Sequence, residues 1–301
     1  MDESAIQKIK QLLGTTILKK SGFRAGGCIN EGEGYHTDNG LVFIKKNNAK
    51  DTETMFNSEI ASLNALEKTK TIKVPHPFGM VKGSHNTFYC ILEFIEIHSL
   101  SKYASKLGEH FANLHLHNEH VAKKDNTLEY VKQFGFPITT CVGLLSVDNT
   151  WCDDWPTFYT RRLEEQIDRT KNKEASNLWS ELKPIIPKFF ENIEVKPSLL
   201  HGDLWSGNAG ETKNEPIIFD PACVYGHHEF DLAMTTMFGR FAQPFYDSYH
   251  KRIPKQRGFD VREKLYHLFH YLNHWNHFGG GYKYQSISIM KDLLKTKFPL
   301  N

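Results

Sequence analysis

His201-Gly202-Asp203-Leu204-Trp205-Ser206-Gly207-Asn208, followed by Pro216-Ile217-Ile218-Phe219-Asp220, is the stretch on which the fold of this 301-residue chain turns. Ser198 to His201 and Pro216 to Asp220 read as two short strands, with the glycine-containing loop between them. A loop held at both ends is a platform for polar chemistry. Asp203, Asn208 and Asp220 all offer hard oxygen atoms of the kind that hold a small divalent cation. Taken singly, an Asp or Asn in such a loop caps a turn. The three in this order read as a site.

The step from Asp203 to Asn208 matches H-R-D-L-x-x-x-N of protein kinases, where the Asp accepts the substrate hydroxyl proton, the Asn holds magnesium and a further Asp binds metal. This assigns Asp203 as catalytic base and Asn208 and Asp220 as magnesium ligands beside ATP. Upstream, Val42-Phe43-Ile44-Lys45 resembles the V-A-I-K strand whose Lys contacts phosphates and pairs with a helix Glu. Thr54 to Leu66 puts Phe56, Ile60 and Leu63 on one helical stripe with Glu59 beside it, so Lys45 and Glu59 can meet. The bland alternative for Lys45 is a solvated strand-end lysine. Gly26 to Gly34, including Gly27 and Cys28, stands where a phosphate-covering hairpin belongs. Glu31 and Glu33 in it would repel phosphate unless they point away.

Composition narrows the class. At 40% hydrophobic and a formal net charge of +2, the chain can bury a large core and carries no broad pull toward nucleic acid or anionic membrane. Its first residues lack the apolar core of a signal peptide, and no later run is long enough to span a bilayer. With no export signal read, Cys28, Cys90, Cys141, Cys152 and Cys223 are expected to be reduced thiols in a cytoplasmic protein, and because none forms a CxxC pair a structural zinc site is not expected.

Thr87 to Ile97 is a near-continuous apolar run typical of a buried strand, interrupted near its end by Glu93. Beyond it most of the chain has helical periodicity. The expected fold is α+β and two-lobed, protein-kinase-like: a small N-terminal antiparallel sheet lobe with one main helix (residues 1–95), and a larger, mostly helical C-terminal lobe (residues 96–301). Glu93, Phe94 and Ile95 are then the hinge, with backbone groups facing the adenine edge. The last long helix, Val261 to Phe278, carries His267, His270, His274 and His277 off its apolar stripe, and wet packing explains them better than zinc.

The blocks GGCINEGEGYHTDNGLVFIK, MFNSEIASLNAL, FGF, DDWPTFY, LLHGDLWSGN, DPACVYGHHEFDLAM and YLNHWNHFG occur in the order found in the fructosamine-3-kinase and ketosamine-3-kinase family, which the chain resembles from about Gly22 to Gly279. Val121 to Lys132 matches least. The resemblance implies phosphorylation of the 3-hydroxyl of a ketoamine, a fructosamine or ribulosamine on a free or protein-bound amine, and hence deglycation. Trp205, next but one after Asp203, reads as a ring for the sugar or its amine linker, with a core aromatic as the bland alternative, and His274 and His277, three apart and flanking Trp275, read as lining the same pocket. The resemblance implies Asp231 as a support of the catalytic loop and Cys28 as a redox-sensitive thiol, giving a monomer or a redox-linked dimer. Asp153 and Asp154 read as an N-cap before Pro156. Competing readings are an aminoglycoside or choline kinase with the same catalytic set, and a pseudokinase that binds without turnover.

Overall fold

The computed structural model describes residues 1–26, 31–123 and 129–300. Helix α1 (Glu3–Leu13) precedes strands β1 (Lys19–Gly26), β2 (Glu31–Thr37) and β3 (Gly40–Asn47), helix α2 (Thr52–Thr69), and strands β4 (Pro77–Lys82) and β5 (Phe88–Glu93). These strands form a five-stranded sheet in the order β1-β2-β3-β5-β4, antiparallel throughout. Alternation along the strands sends side chains to opposite faces. Val42, Ile44, Tyr89 and Ile91 meet Ala5 and Ile9 of α1, while Phe88, Cys90 and Leu92 pack with Phe56, Leu63 and Leu66 of α2. Because β5 is covered on both faces, its sequence reads as an unbroken apolar run. The same alternation puts Lys45, next to Ile44, on the α2 face.

The strand ends at Glu93 rather than Ile97, and residues 94–97 run as a connection to β6 (His98–Ser99). The second lobe comprises α3 (Ala104–Lys123), the hairpin β7 (Thr140–Val142) and β8 (Leu145–Val147), α4 (Trp155–Thr170), α5 (Lys173–Leu182), β9 (Ser198–Leu200), β10 (Ala209–Glu211), β11 (Pro216–Ile218), β12 (Val224–Gly226), α6 (His228–Met234), α7 (Gln243–Arg252), α8 (Phe259–Phe278) and α9 (Lys283–Leu294). Both expected strands around the loop are present but shorter, so His201 and Asp220 lie just past strand ends. Each pairs with a partner the periodicity did not show: β9 with β12, and β11 with β10, which also takes β6.

The core of this lobe is aromatic. Trp155, Phe158 and Tyr159 of α4 meet Tyr266 and Phe269 of α8, with Trp155 Nε1 donating to Tyr266 Oη at 2.9 Å and Tyr159 Oη to the Leu265 carbonyl at 2.8 Å. Asp154 caps α4 by accepting from Thr157 N at 2.9 Å, ahead of Trp155-Pro156. Between α6 and α8, fully buried Arg262 forms a bidentate pair with Glu229 at 2.7 and 2.8 Å and donates to the Arg257 carbonyl at 2.7 Å. That pair fixes α6, and with it Asp231.

Candidate active site

A cleft of about 640 Å³ opens between the sheet and the helical lobe, and Lys45, Glu59, Asp203, Asn208 and Asp220 all line it. Glu93, Phe94, Ile95 and Trp205 are on its walls as well. Gly27 and Cys28 lie outside the described residues.

Lys45 and Glu59 are both about nine-tenths buried, and Lys45 Nζ is 2.6 Å from Glu59 Oε1. The same ammonium reaches across the cleft to Asp220 Oδ1. Burial disfavours its charge, but the carboxylates of Asp220 and Glu59 outweigh burial and hold the lysine above its ordinary range. Asp220 has φ +56°, a left-handed conformation that Asp tolerates better than most side chains.

The loop bearing Asp203 is fastened from below. Asp231, with 0% exposure, accepts His201 N at 2.7 Å and Gly202 N at 2.8 Å, and its Oδ2 lies 3.2 Å from His115 Nε2. Gly202 sits at φ +84°, and a Cβ there would lie 2.0 Å from the Ala222 carbonyl oxygen, so the turn requires glycine. His201 is buried, which lowers its pKa. In the neutral tautomer these contacts require, Nε2–H donates to the Phe219 carbonyl at 3.0 Å and Nδ1 accepts Asp203 N at 3.2 Å. Phe219 N in turn donates to the Asn208 carbonyl at 3.0 Å. One imidazole thus rivets the loop carrying Asp203 to the segment carrying Asp220.

Burial, with the nearby Asp220 and Asp231 carboxylates, pushes Asp203 well above the usual carboxylate range, against a weaker opposing contact from Asn208. Asn208 Nδ2 donates to the Asp203 carbonyl at 2.9 Å, which leaves the Asn208 amide oxygen for another partner. The Asn208 amide oxygen and the Asp220 carboxylate are hard oxygen donors of the kind that fit magnesium. A separate trio, His227, His228 and Glu229, also brings potential ligand atoms together, but Arg262 already holds both Glu229 oxygens.

On the upper wall, Glu33 pairs with Lys20 at 2.9 Å and accepts from Tyr35 Oη at 2.8 Å, while Gly32 lines the cleft. Strand alternation therefore points Glu33 away. Glu93 N donates to the His76 carbonyl at 2.8 Å, and its carboxylate takes Lys73 at 3.3 Å and His76 N at 3.1 Å. Phe23, which sequence reading passed over, packs edge-on against Phe94 with centroids 5.0 Å apart. Its signal was only an aromatic in a glycine-flanked strand.

Trp205 sits edge-on to Phe238 at 6.0 Å, and Phe238 lies 4.7 Å from His274. Neither His274 nor His277 is among the cleft-lining residues. His274 stands behind Phe238, and His277 stands behind Gly143, which does line the cleft.

The sequence matches the fructosamine kinase family over residues 1–296. It is 45% identical over 305 residues to a ketosamine-3-kinase from Mus musculus, covering 95% of this chain and 99% of the mouse protein. It is 39% identical over 286 residues to a chloroplastic protein-ribulosamine 3-kinase from Arabidopsis thaliana, covering 93% of this chain and 84% of that protein. In structure it resembles a protein from Haemophilus somnus assigned as a fructosamine-3-kinase, with a TM-score of 0.81, 24% identity and 97% of each chain covered. The two-lobed, kinase-like fold and the end-to-end match together show that this chain belongs to the fructosamine kinase family.

Proposed function

We propose that the chain transfers the γ-phosphoryl group of ATP to the 3-hydroxyl of a ketoamine, a fructosamine or ribulosamine on a free or protein-bound amine. The observation that carries this reading is the convergence of Asp203, Asn208 and Asp220 on one cleft opposite the Lys45–Glu59 pair. Asp203, on its fastened loop, accepts the hydroxyl proton. Burial and the neighbouring Asp220 and Asp231 carboxylates raise its pKa, which makes it a stronger base than an ordinary carboxylate. Lys45 binds the phosphates, and Glu59 keeps its ammonium in place. Asn208 and Asp220 are the residues that would hold magnesium, which when bound offsets charge on the triphosphate.

Phe23, Phe94 and the backbone from Glu93 to Ile95 form the adenine side of the cleft, so the division between lobes falls at residues 95 and 96. Support for that division comes from β5 ending in the upper sheet at Glu93 and β6 pairing with β10 below. Trp205 offers a ring for the sugar or its amine linker. Phosphate on C3 lies β to the C2 carbonyl, so elimination can follow and release the amine; the activity amounts to deglycation. None of the helices in the described residues is long and apolar enough to cross a membrane, and the setting we infer is cytoplasmic.

The test is ADP release and product phosphorylation with ATP, magnesium and a panel of fructosamine, ribulosamine, aminoglycoside and choline. Turnover confined to the last two would refute the ketoamine assignment, and no turnover with any would return the chain to a binding role.

A further inference from the structure

The hairpin β7–β8 touches both halves of the cleft. At its tip, Leu144 N donates to His277 Nε2 at 2.9 Å, while His277 Nδ1–H donates to the Asn273 carbonyl at 2.7 Å. The ring is therefore neutral and each of its nitrogens is occupied. Gly143, beside this contact, has φ +65°, and a Cβ on it would lie 2.5 Å from His277 Nε2, so the close approach depends on glycine. Along its second strand, Arg169 of α4 donates to the Ser146 carbonyl at 2.8 Å. At its first strand, Cys141 N donates to Ser58 Oγ at 2.9 Å. Ser58 is 1% exposed, lies on α2 and directly precedes Glu59.

We propose that this hairpin is a strut between α8 and α2, and that His277 is a positioning residue which, through Leu144, Cys141 and Ser58, holds Glu59 against Lys45. The inference rests on the nucleotide-binding role of Lys45 given above. It gives His277 a different task from contact with the ketoamine. The strut has one titratable joint. The charged and titratable groups around His277 are Arg169 on α4, ion-paired to Glu165 at 2.6 Å, and His274 on α8. Burial and Arg169 lower the His277 pKa, against the Asn273 carbonyl, which raises it. The neutral acceptor is thus the form the fold favours, and the tether to Leu144 N is lost as pH falls through that lowered value.

The experiment uses the full chain and measures affinity for a non-hydrolysable ATP analogue with magnesium, from neutral to mildly acidic pH, together with amide exchange in residues 52–69 and 140–147. His277→Ala should weaken analogue binding about three- to tenfold, the scale of one lost hydrogen bond, and speed exchange in both segments. His277→Gln offers an acceptor that does not titrate, so it should restore neutral-pH affinity and abolish the acid-side loss. Ser58→Ala should reproduce the His277→Ala effect, and the double variant should be no weaker than the worse single one. Unchanged analogue affinity and unchanged exchange in residues 52–69, with only the ketoamine KM raised, would overturn the strut in favour of direct substrate contact; additive single effects would also overturn it. A wild-type chain that binds no analogue would refute the nucleotide reading instead, and exchange in residues 52–69 would still decide the strut.

Discussion

Asp231→Asn is the change that most directly probes how the catalytic loop is held. In the native loop both carboxylate oxygens are used, Oδ2 by His201 N at 2.7 Å and Oδ1 by Gly202 N at 2.8 Å, at a site with no solvent exposure. Asparagine keeps the shape but only one acceptor oxygen. Its amide NH2 must then face either the Gly202 N–H, or the His201 N–H together with the His115 ring that approaches the same oxygen at 3.2 Å. The loss of one charge-assisted bond, with a buried donor left unmet, is worth about 2–4 kcal/mol. For a domain of this size that corresponds to a Tm lowered by roughly 3–6 °C. Because Asp203 follows Gly202 directly, a displaced loop should also reduce kcat, by as much as about a hundredfold for a shift near 1 Å. Scanning calorimetry and steady-state turnover on the same preparations check both numbers. A variant with Tm within a degree or so of wild type and unchanged kcat would falsify the view that Asp231 sets the loop.

Asp203→Asn should lower kcat by about 10²- to 10⁴-fold while leaving ATP-analogue binding intact, as measured by titration calorimetry. In the wild-type enzyme Asp203 must be ionised to accept a proton and its pKa is raised, so kcat should fall with decreasing pH well before an ordinary carboxylate protonates; a profile that stays flat through that range would remove it as the base. Lys45→Met should raise the ATP KM at least several-fold, because the phosphates lose their only fixed cation among the described cleft-lining residues, and an unchanged KM would refute the phosphate role. Glu229→Ala leaves Arg262 charged and unpaired in the core, which should cost about 3–5 kcal/mol in urea unfolding; a loss under 1 kcal/mol would mean that the Arg257 carbonyl suffices.

What could be read from the sequence was whatever depends on nearest neighbours along the chain. LVFIK, the stripe of α2 and the spacing of Asp203, Asn208 and Asp220 are local patterns, and the Lys45–Glu59 meeting follows from a strand and a helix that pack in sequence. Strand β10, Ala209-Gly210-Glu211, carries no alternation to detect; it is a strand only because β6 and β11 flank it. Ser58 and Ser62 look like solvent positions on a helix, yet both are buried, accepting backbone N–H groups from Cys141 and Cys223 far along the chain. His274 and His277 are three apart on one helix, a spacing that reads as one shared pocket. Which side of α8 meets the cleft is decided by the docking of α4 and α6, and that docking turns both rings behind other residues.

The tie that His201 makes between the Asp203 loop and Phe219 has a consequence for motion. Through that ring the proposed catalytic carboxylates Asp203 and Asp220 are tied to one another, whereas Lys45 rides on β3 of the upper sheet. If the lobes part to admit or release a ligand, the spacing of Asp203 and Asp220 is conserved and only the counter-charge departs. Opening would therefore act on the electrostatic balance of the floor and not on its geometry. The chain would relax from one turnover to the next as a door hung on a fixed frame, with the frame already set for the following substrate.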